Sequence, residues 1–168
     1  MADSTVIWFW QAVGSEIRAI ECIEFQNTGL AEIVRELKSR PYDYSDHYLP
    51  HDVKVRELGT GQSRFEILQG LGLNPTIVQQ HTVQDGIQAT RAMLARVWFD
   101  RELCFRGIEA LKLYRADYND ERQVYNKAPL HDWTSHFADA VRYCAMGRPK
   151  TASWGGPLDY SEMDRGLN

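Results

Sequence analysis

The sequence lacks the patterns by which membrane and disulfide-rich proteins are identified. Its longest run without a charged or strongly polar residue is Val6 to Trp10, far short of the ~20 apolar residues that cross a bilayer, and no basic-then-apolar leader opens it. Its three cysteines, Cys22, Cys104 and Cys144, are widely spaced and form no C-x-x-C pair. We therefore expect core cysteines, no membrane span and a cytosolic location.

Motifs for nucleotide hydrolysis and serine nucleophiles are also missing. Nothing matches the phosphate loop G-x-x-x-x-G-K-[ST] or a strand-turn-helix G-x-G-x-x-G. The nearest approach, Gly59-Thr60-Gly61, precedes a short polar stretch and is more typical of a turn. Neither G-x-S-x-G nor S-x-x-K occurs. The chain is therefore not expected to hydrolyse nucleotides or to use a serine nucleophile.

The composition is that of one packed globular domain. In 168 residues, 43% are hydrophobic and 25% are charged, which excludes disordered and collagen-like classes. Nineteen Lys and Arg against 23 Asp and Glu give a formal net charge of −4. Because the overall field of such a chain does not attract nucleic acid, any DNA contact has to be local.

Hydrophobic periodicity predicts an α/β protein. The start is typical of a β-hairpin, and the segment from Thr28 to Pro41 has the apolar spacing of an amphipathic helix. Ser63 is placed to cap a short helix. The remaining predictions are strands over 47–52 and 76–81, helices over 83–99, 101–114 and 134–146, and a strand or loop over 118–127. Thr134 or Ser135 is expected to cap the last helix.

Two segments carry histidine and aspartate where a metal ion could bind. His51 and Asp52 follow a predicted strand, the position at which open α/β sheets present ligand sites, and a loop aspartate in an Asx turn beside a solvated histidine is the alternative explanation. Asp132, His136 and Asp139 are spaced by four and three residues, which places them on one face at the start of the last helix. Complementing the helix dipole is the alternative explanation for this second group.

Asp139 stands out because its sequence neighbours are apolar. A carboxylate in such surroundings must be paired, or must hold a cation, to stay charged. Acidic clusters joined at one sheet edge would form the oxygen-rich site that Mg²⁺ or Mn²⁺ prefers. Two such ions, ~3.5–4 Å apart, stabilise the attacking and leaving oxygens of phosphodiester hydrolysis.

Four segments in chain order resemble the C-terminal nuclease domain of the large terminase subunit of tailed phages. They are Ala2–Gln11, His47–Asp52, Gln84–Ile87 followed by Arg91, and Pro129–Tyr143. The likeness extends to about Met146, and its long last segment, PLHDWTSHFADAVRY, is the most specific.

The resemblance implies a ribonuclease H-like α/β fold, with a mixed central sheet flanked by helices, over residues 1–149, and a flexible tail over 150–168. It implies an endonuclease that cuts concatemeric double-stranded DNA during head packaging, with two Mg²⁺ or Mn²⁺ ions held by three acidic residues. The partners it implies in the full protein are an ATPase domain, the portal and the small terminase subunit. The implied location is the cytoplasm of an infected or lysogenic bacterium.

Carried over by position, Asp52 matches the second carboxylate of that family. The third is either Asp139 or Asp132, with His136 as a neighbour. The first carboxylate belongs to a D-x-G strand that we expect to be missing from this sequence, and Asp3 is at best a poor substitute. A shortened prophage reading frame and a start assigned downstream of the true one both explain that departure.

Lys54, Arg56 and Arg64 are the candidates for contact with DNA phosphates, and a solvated loop face is their alternative explanation. Two other functions stay open. A non-catalytic remnant would retain at most contact with DNA or the portal. Junction resolvases and transposases share ribonuclease H-like sheets, so the fold alone does not choose among these enzymes.

Overall fold

The structure, a computed structural model, describes residues 4–56, 59, 61–119 and 121–148. Asp3 and the predicted tail over 150–168 lie outside the described residues. The elements follow one another as β1 (Ser4–Val13), β2 (Glu16–Gln26), α1 (Leu30–Ser39), β3 (His47–Leu49), a 3-10 helix (His51–Lys54), α2 (Arg64–Gly70), β4 (Pro75–Ile77), α3 (Val83–Leu94), β5 (Val97–Phe99), α4 (Phe105–Leu113), β6 (Ala116–Asn119), β7 (Val124–Pro129) and α5 (Trp133–Gly147).

The strands form a mixed α/β fold with three small sheets. β1 and β2 are an antiparallel hairpin that turns at Gly14, whose φ of 57° suits glycine, and β5 joins β2 in parallel. β3 pairs in parallel with β4, and β6 is antiparallel to β7. The mixed sheet that we expected is therefore limited to β1, β2 and β5, because the three-residue strands β3 and β4 pair only with each other. Within the described residues, β1 has no strand on its outer edge, and a ribonuclease H-like topology stays a prediction.

Several boundaries differ from the sequence predictions. The strand predicted over 47–52 ends at Leu49, since a 3-10 helix begins at His51, and the strand predicted over 76–81 is limited to Pro75–Ile77. The helix predicted over 83–99 ends at Leu94, since Val97–Phe99 pair with β2 instead. The next helix begins at Phe105, because the Asp100 carboxylate accepts hydrogen bonds from the following backbone and holds a turn there. The weakly patterned segment over 118–127 contributes to the β6–β7 hairpin.

The main core lies between the first sheet and α3, α4 and α5. Trp8 of β1 stacks on Trp10, with ring centroids 5.6 Å apart, and its indole N–H donates to the carbonyl of Phe137 in α5 at 3.2 Å. A Cβ added at Gly107 of α4 would overlap that indole, 2.5 Å from its Cζ2. Cys104 and Cys144 are buried and Cys22 is partly buried, as expected of core cysteines.

The close approach at Gly107 generates a stability prediction. Gly107→Ala should lower the free energy of unfolding by about 1–3 kcal/mol, because the new methyl group must displace a buried indole. Urea unfolding followed by tryptophan fluorescence measures the change. Gly70→Ala is the control, since a Cβ there meets nothing within 4 Å and its stability should be unchanged or slightly higher. Equal behaviour of the two variants would contradict the packing described.

Candidate metal-binding site

Helix α5 begins at an aspartate that caps it. The Asp132 carboxylate accepts hydrogen bonds from the backbone N–H of Thr134 at 2.9 Å and from its hydroxyl at 2.5 Å. The prediction that Thr134 or Ser135 is the cap was therefore wrong. The hydrogen bond from the Thr134 hydroxyl is the largest influence on Asp132 and holds its pKa below the ordinary value. Capping thus accounts for Asp132 and leaves Asp139 as the stronger candidate ligand.

Asp139 lies two turns further along the same helix face, and its side chain is half-buried. Its Oδ1 pairs with the guanidinium of Arg142 at 2.8 Å. Burial raises the pKa of Asp139, although the charge of Arg142 and, to a smaller degree, those of His136 and His131 act in the opposite direction. The structure thus keeps a carboxylate in a poorly solvated place and partly compensates it with a buried cation.

Asp52 comes from a different part of the chain. It is exposed on the 3-10 helix that directly follows β3, and the buried Val53 anchors that turn. Burial raises the pKa of Tyr143 in α5, and the negative charges of Asp139 and Asp52 add to this effect. Both carboxylates thus add negative charge to the surroundings of Tyr143, and Asp52 is the weaker of the two influences.

Histidines surround this neighbourhood. The His81 ring contacts Tyr143 edge-on, with centroids 5.8 Å apart, and the rings of His131 and His136 meet in the same way at 5.8 Å. His131 also lies 3.1 Å from the Ser135 hydroxyl. A cavity of about 120 Å³ is lined by residues from α3, α5 and the segments between, among them His131, Ser135, Asp139 and Arg142.

Carboxylate oxygens are the donors that a hard divalent cation prefers, and Asp139 has the imidazoles of His136 and His131 close enough to influence its pKa. Within the part of the chain that the structure describes, no three His, Cys, Asp or Glu side chains are gathered closely enough to hold a metal ion. Asp52 and Asp139 are therefore the candidate ligands, and the described side chains do not by themselves assemble the expected two-ion site.

The three basic candidates share one exposed region beyond Asp52. Lys54 ends the 3-10 helix, Arg56 forms an isolated bridge with Ser63, and Arg64 begins α2. Arg56 also pairs with Glu66 at 3.4 Å in an exposed ion pair. A capping box between Ser63 and Glu66 fixes the start of α2, as the spacing predicted. DNA contact by these side chains stays a prediction.

Sequence reasoning did not single out Arg142, Tyr143 or His81 as site residues. Arg142 is three residues after Asp139, a spacing at which helix side chains meet, so this ion pair had a signal in the sequence. His81 had none, because its position depends on how the segment after β4 packs against α5.

No protein-family model, curated protein or solved structure matches this chain. Of the helices that the structure describes, none has the length and apolar character needed to cross a membrane.

The capping role of Asp132 can be tested by substitution. Asp132→Ala should lower stability at pH 7 by about 1 kcal/mol, whereas Asp132→Ser, which retains a capping oxygen, should lose much less. Because the pKa of Asp132 is lowered by folding, its contribution is present above its unfolded pKa of about 3.9 and is lost as the pH falls through its folded pKa. Thermal unfolding from pH 7 to pH 2.5 should show the difference between wild type and Asp132→Ala shrinking on acidification. A difference that is constant with pH contradicts a charged cap.

Proposed function

We propose that this chain is a nuclease domain of the terminase type, a divalent-metal-dependent endonuclease that cuts concatemeric double-stranded DNA during phage head packaging. One observation carries the proposal. Asp139, the half-buried carboxylate of α5, lies within Pro129–Tyr143, the longest of the segments that resemble the terminase nuclease domain. A carboxylate in such a place is a candidate ligand for a hard divalent cation.

The proposed mechanism assigns a separate task to each group of side chains. Asp52 and Asp139 would hold Mg²⁺ or Mn²⁺, and the ion would stabilise charge on the phosphate and favour attack by water. Asp52 lies at the surface, where the backbone of a duplex has access to it. His136, on the same helix as Asp139, adds positive character beside that carboxylate. Lys54, Arg56 and Arg64 bind neighbouring phosphates without reading sequence.

The wider setting of the proposal follows the resemblance in sequence. The full protein would join this domain to an ATPase domain and work with the portal and the small terminase subunit, in the cytoplasm of the bacterial host. A junction resolvase or transposase would use similar side chains. The segment Pro129–Tyr143, which contains the capping residue and Asp139, favours the terminase type.

A non-catalytic module that contacts DNA or the portal is the second candidate. The observation in its favour is that the described residues gather no group of three metal ligands. A two-ion nuclease site requires more carboxylate oxygens than Asp52 and Asp139 provide. The two candidates differ in whether the chain hydrolyses DNA.

Nicking of supercoiled plasmid in the presence of Mn²⁺ tests the proposal. The wild-type chain should convert supercoiled to relaxed DNA, and Asp52→Asn and Asp139→Asn should each reduce the rate by at least about 100-fold, because an amide is a poor ligand for a hard cation. Gel electrophoresis over time gives the rates, and omission of the metal should abolish them.

Asp43→Asn is the matched control, since Asp43 is an exposed aspartate in the loop between α1 and β3. It should nick plasmid at the wild-type rate. If the wild type and all three variants leave the plasmid intact, the non-catalytic module is the correct assignment. If Asp43→Asn reduces nicking as strongly as Asp52→Asn, the assignment of Asp52 as a ligand is wrong.

The basic candidates can be tested by binding rather than cleavage. Lys54→Ala and Arg64→Ala should each weaken binding to duplex DNA and reduce the dependence of log K on log salt by about one, as expected for one phosphate contact each. Fluorescence anisotropy in EDTA at several salt concentrations measures both quantities. Lys112→Ala is the control, because Lys112 belongs to α4 and is not among the candidates for DNA contact. An unchanged salt slope in all variants would favour a solvated loop face.

A further inference from the structure

We infer that Arg142 is a positioning residue, which holds the Asp139 carboxylate in the orientation that binds the divalent ion. This inference rests on the proposed function, because it concerns the same site. It adds Arg142 to the candidate ligands and DNA contacts named from the sequence. Neighbouring elements enclose Arg142, and its guanidinium contacts Asp139.

The Asp139–Arg142 pair differs in burial from a surface ion pair of the same spacing. The Arg142 side chain is only 11% exposed, whereas Arg35, which pairs with Glu32 three residues before it on α1, is 78% exposed. Exposed ion pairs of this kind contribute little to stability, because water and salt weaken the attraction between the two charges. A buried guanidinium instead fixes the carboxylate that it contacts, since both groups have few other positions.

The stem of Arg142 lies where α3 and α5 come closest. A Cβ added at Gly86, inside α3, would overlap the Arg142 side chain, 2.5 Å from its Cγ, and would also lie 3.0 Å from Cδ2 of His81. Glycine is unfavourable within a helix, so its presence one turn into α3 requires a reason. Space for the arginine stem supplies that reason.

The guanidinium is also held between two tyrosines. It lies 5.7 Å from the centre of the Tyr143 ring, and its charge and hydrogen bonding lower the pKa of Tyr143 and of Tyr114 against the larger effect of burial. Tyr114 comes from the C-terminal end of α4, so residues of α3, α4 and α5 surround one side chain. The Arg142 Nε is buried and has no hydrogen-bond partner among the described residues. Packing, and not a complete set of hydrogen bonds, therefore determines where the guanidinium lies.

This enclosure has a consequence for Asp139. The Arg142 Nη1 pairs with Oδ1 of the carboxylate at 2.8 Å. When a partner holds one oxygen of a carboxylate, the other oxygen is also kept at a fixed position. Outer partners of metal ligands orient the ligands in this way. Loss of such a partner typically weakens metal binding by about 10–100-fold.

Binding of Mn²⁺ alone, measured by the electron paramagnetic resonance signal of the free ion, tests the inference on the full chain. Gly86→Ala displaces the arginine stem and Arg142→Lys removes the planar guanidinium, and both keep the net charge, so a change in affinity reports geometry. We expect each to weaken Mn²⁺ binding about tenfold, with Asp139→Asn as the reference for a lost ligand. In plasmid nicking, both variants should require more Mn²⁺ and regain the wild-type rate at high Mn²⁺, with an unchanged KM for DNA.

Matched controls separate positioning from stability. Gly70→Ala adds a methyl group to a helical glycine with open space around it, and Arg35→Lys changes an exposed pair of the same spacing. Both should bind Mn²⁺ as the wild type does. Circular dichroism confirms folding, and if Gly86→Ala does not fold, Arg142→Lys decides the question.

The outcomes distinguish the inference from the proposed function. If folded Gly86→Ala and Arg142→Lys bind Mn²⁺ within twofold of the wild type while Asp139→Asn loses binding, Arg142 has only a structural role and the proposed function stands. If the wild type itself binds no Mn²⁺, both are overturned. Weaker binding in the two variants that high Mn²⁺ rescues in the nicking assay supports positioning.

Discussion

The contact between Trp8 and α5 is the constraint on which the site depends. The indole N–H of Trp8 donates to the carbonyl of Phe137, and the same ring occupies the space above Gly107 of α4. Phe137 comes two residues before Asp139, so this bond fixes the depth and rotation of the helix that carries the candidate ligand. The carboxylate is thus positioned by a strand, β1, that lies at the edge of its sheet.

The two candidate ligands are held in opposite ways. Asp139 is half-buried, and burial raises its pKa in spite of the adjacent Arg142. Asp52 is exposed on a short turn and is anchored only through the buried Val53. A carboxylate held on a helix and an exposed one at the surface suit a site that must both fix a cation and admit a long charged substrate. The interior arginine then orients a ligand, whereas the basic residues at the surface attract the substrate.

The sequence predicted elements whose pattern is local. The amphipathic period predicted α1, and the spacing of Ser63 and Glu66 predicted the capped start of α2. It did not predict β5, because Val97–Phe99 continue an apolar helical period and become a strand only through pairing with β2. The cap of α5 was misplaced for a related reason. Asp132, Thr134 and Ser135 are all good capping residues, and backbone geometry selects the first.

The same distinction between local and non-local information applies to the site. Histidine and aspartate spacing pointed to Asp139 and Asp52, since such residues follow strand ends and line one helix face. It could not point to Gly86, which by propensity alone weakens a helix. That glycine acquires its meaning only when Arg142, 56 positions later, is seen to fill the space above it. A residue that is unfavourable for its own element and that accommodates a buried charge on another is therefore the kind of functional signal that only a three-dimensional arrangement reveals.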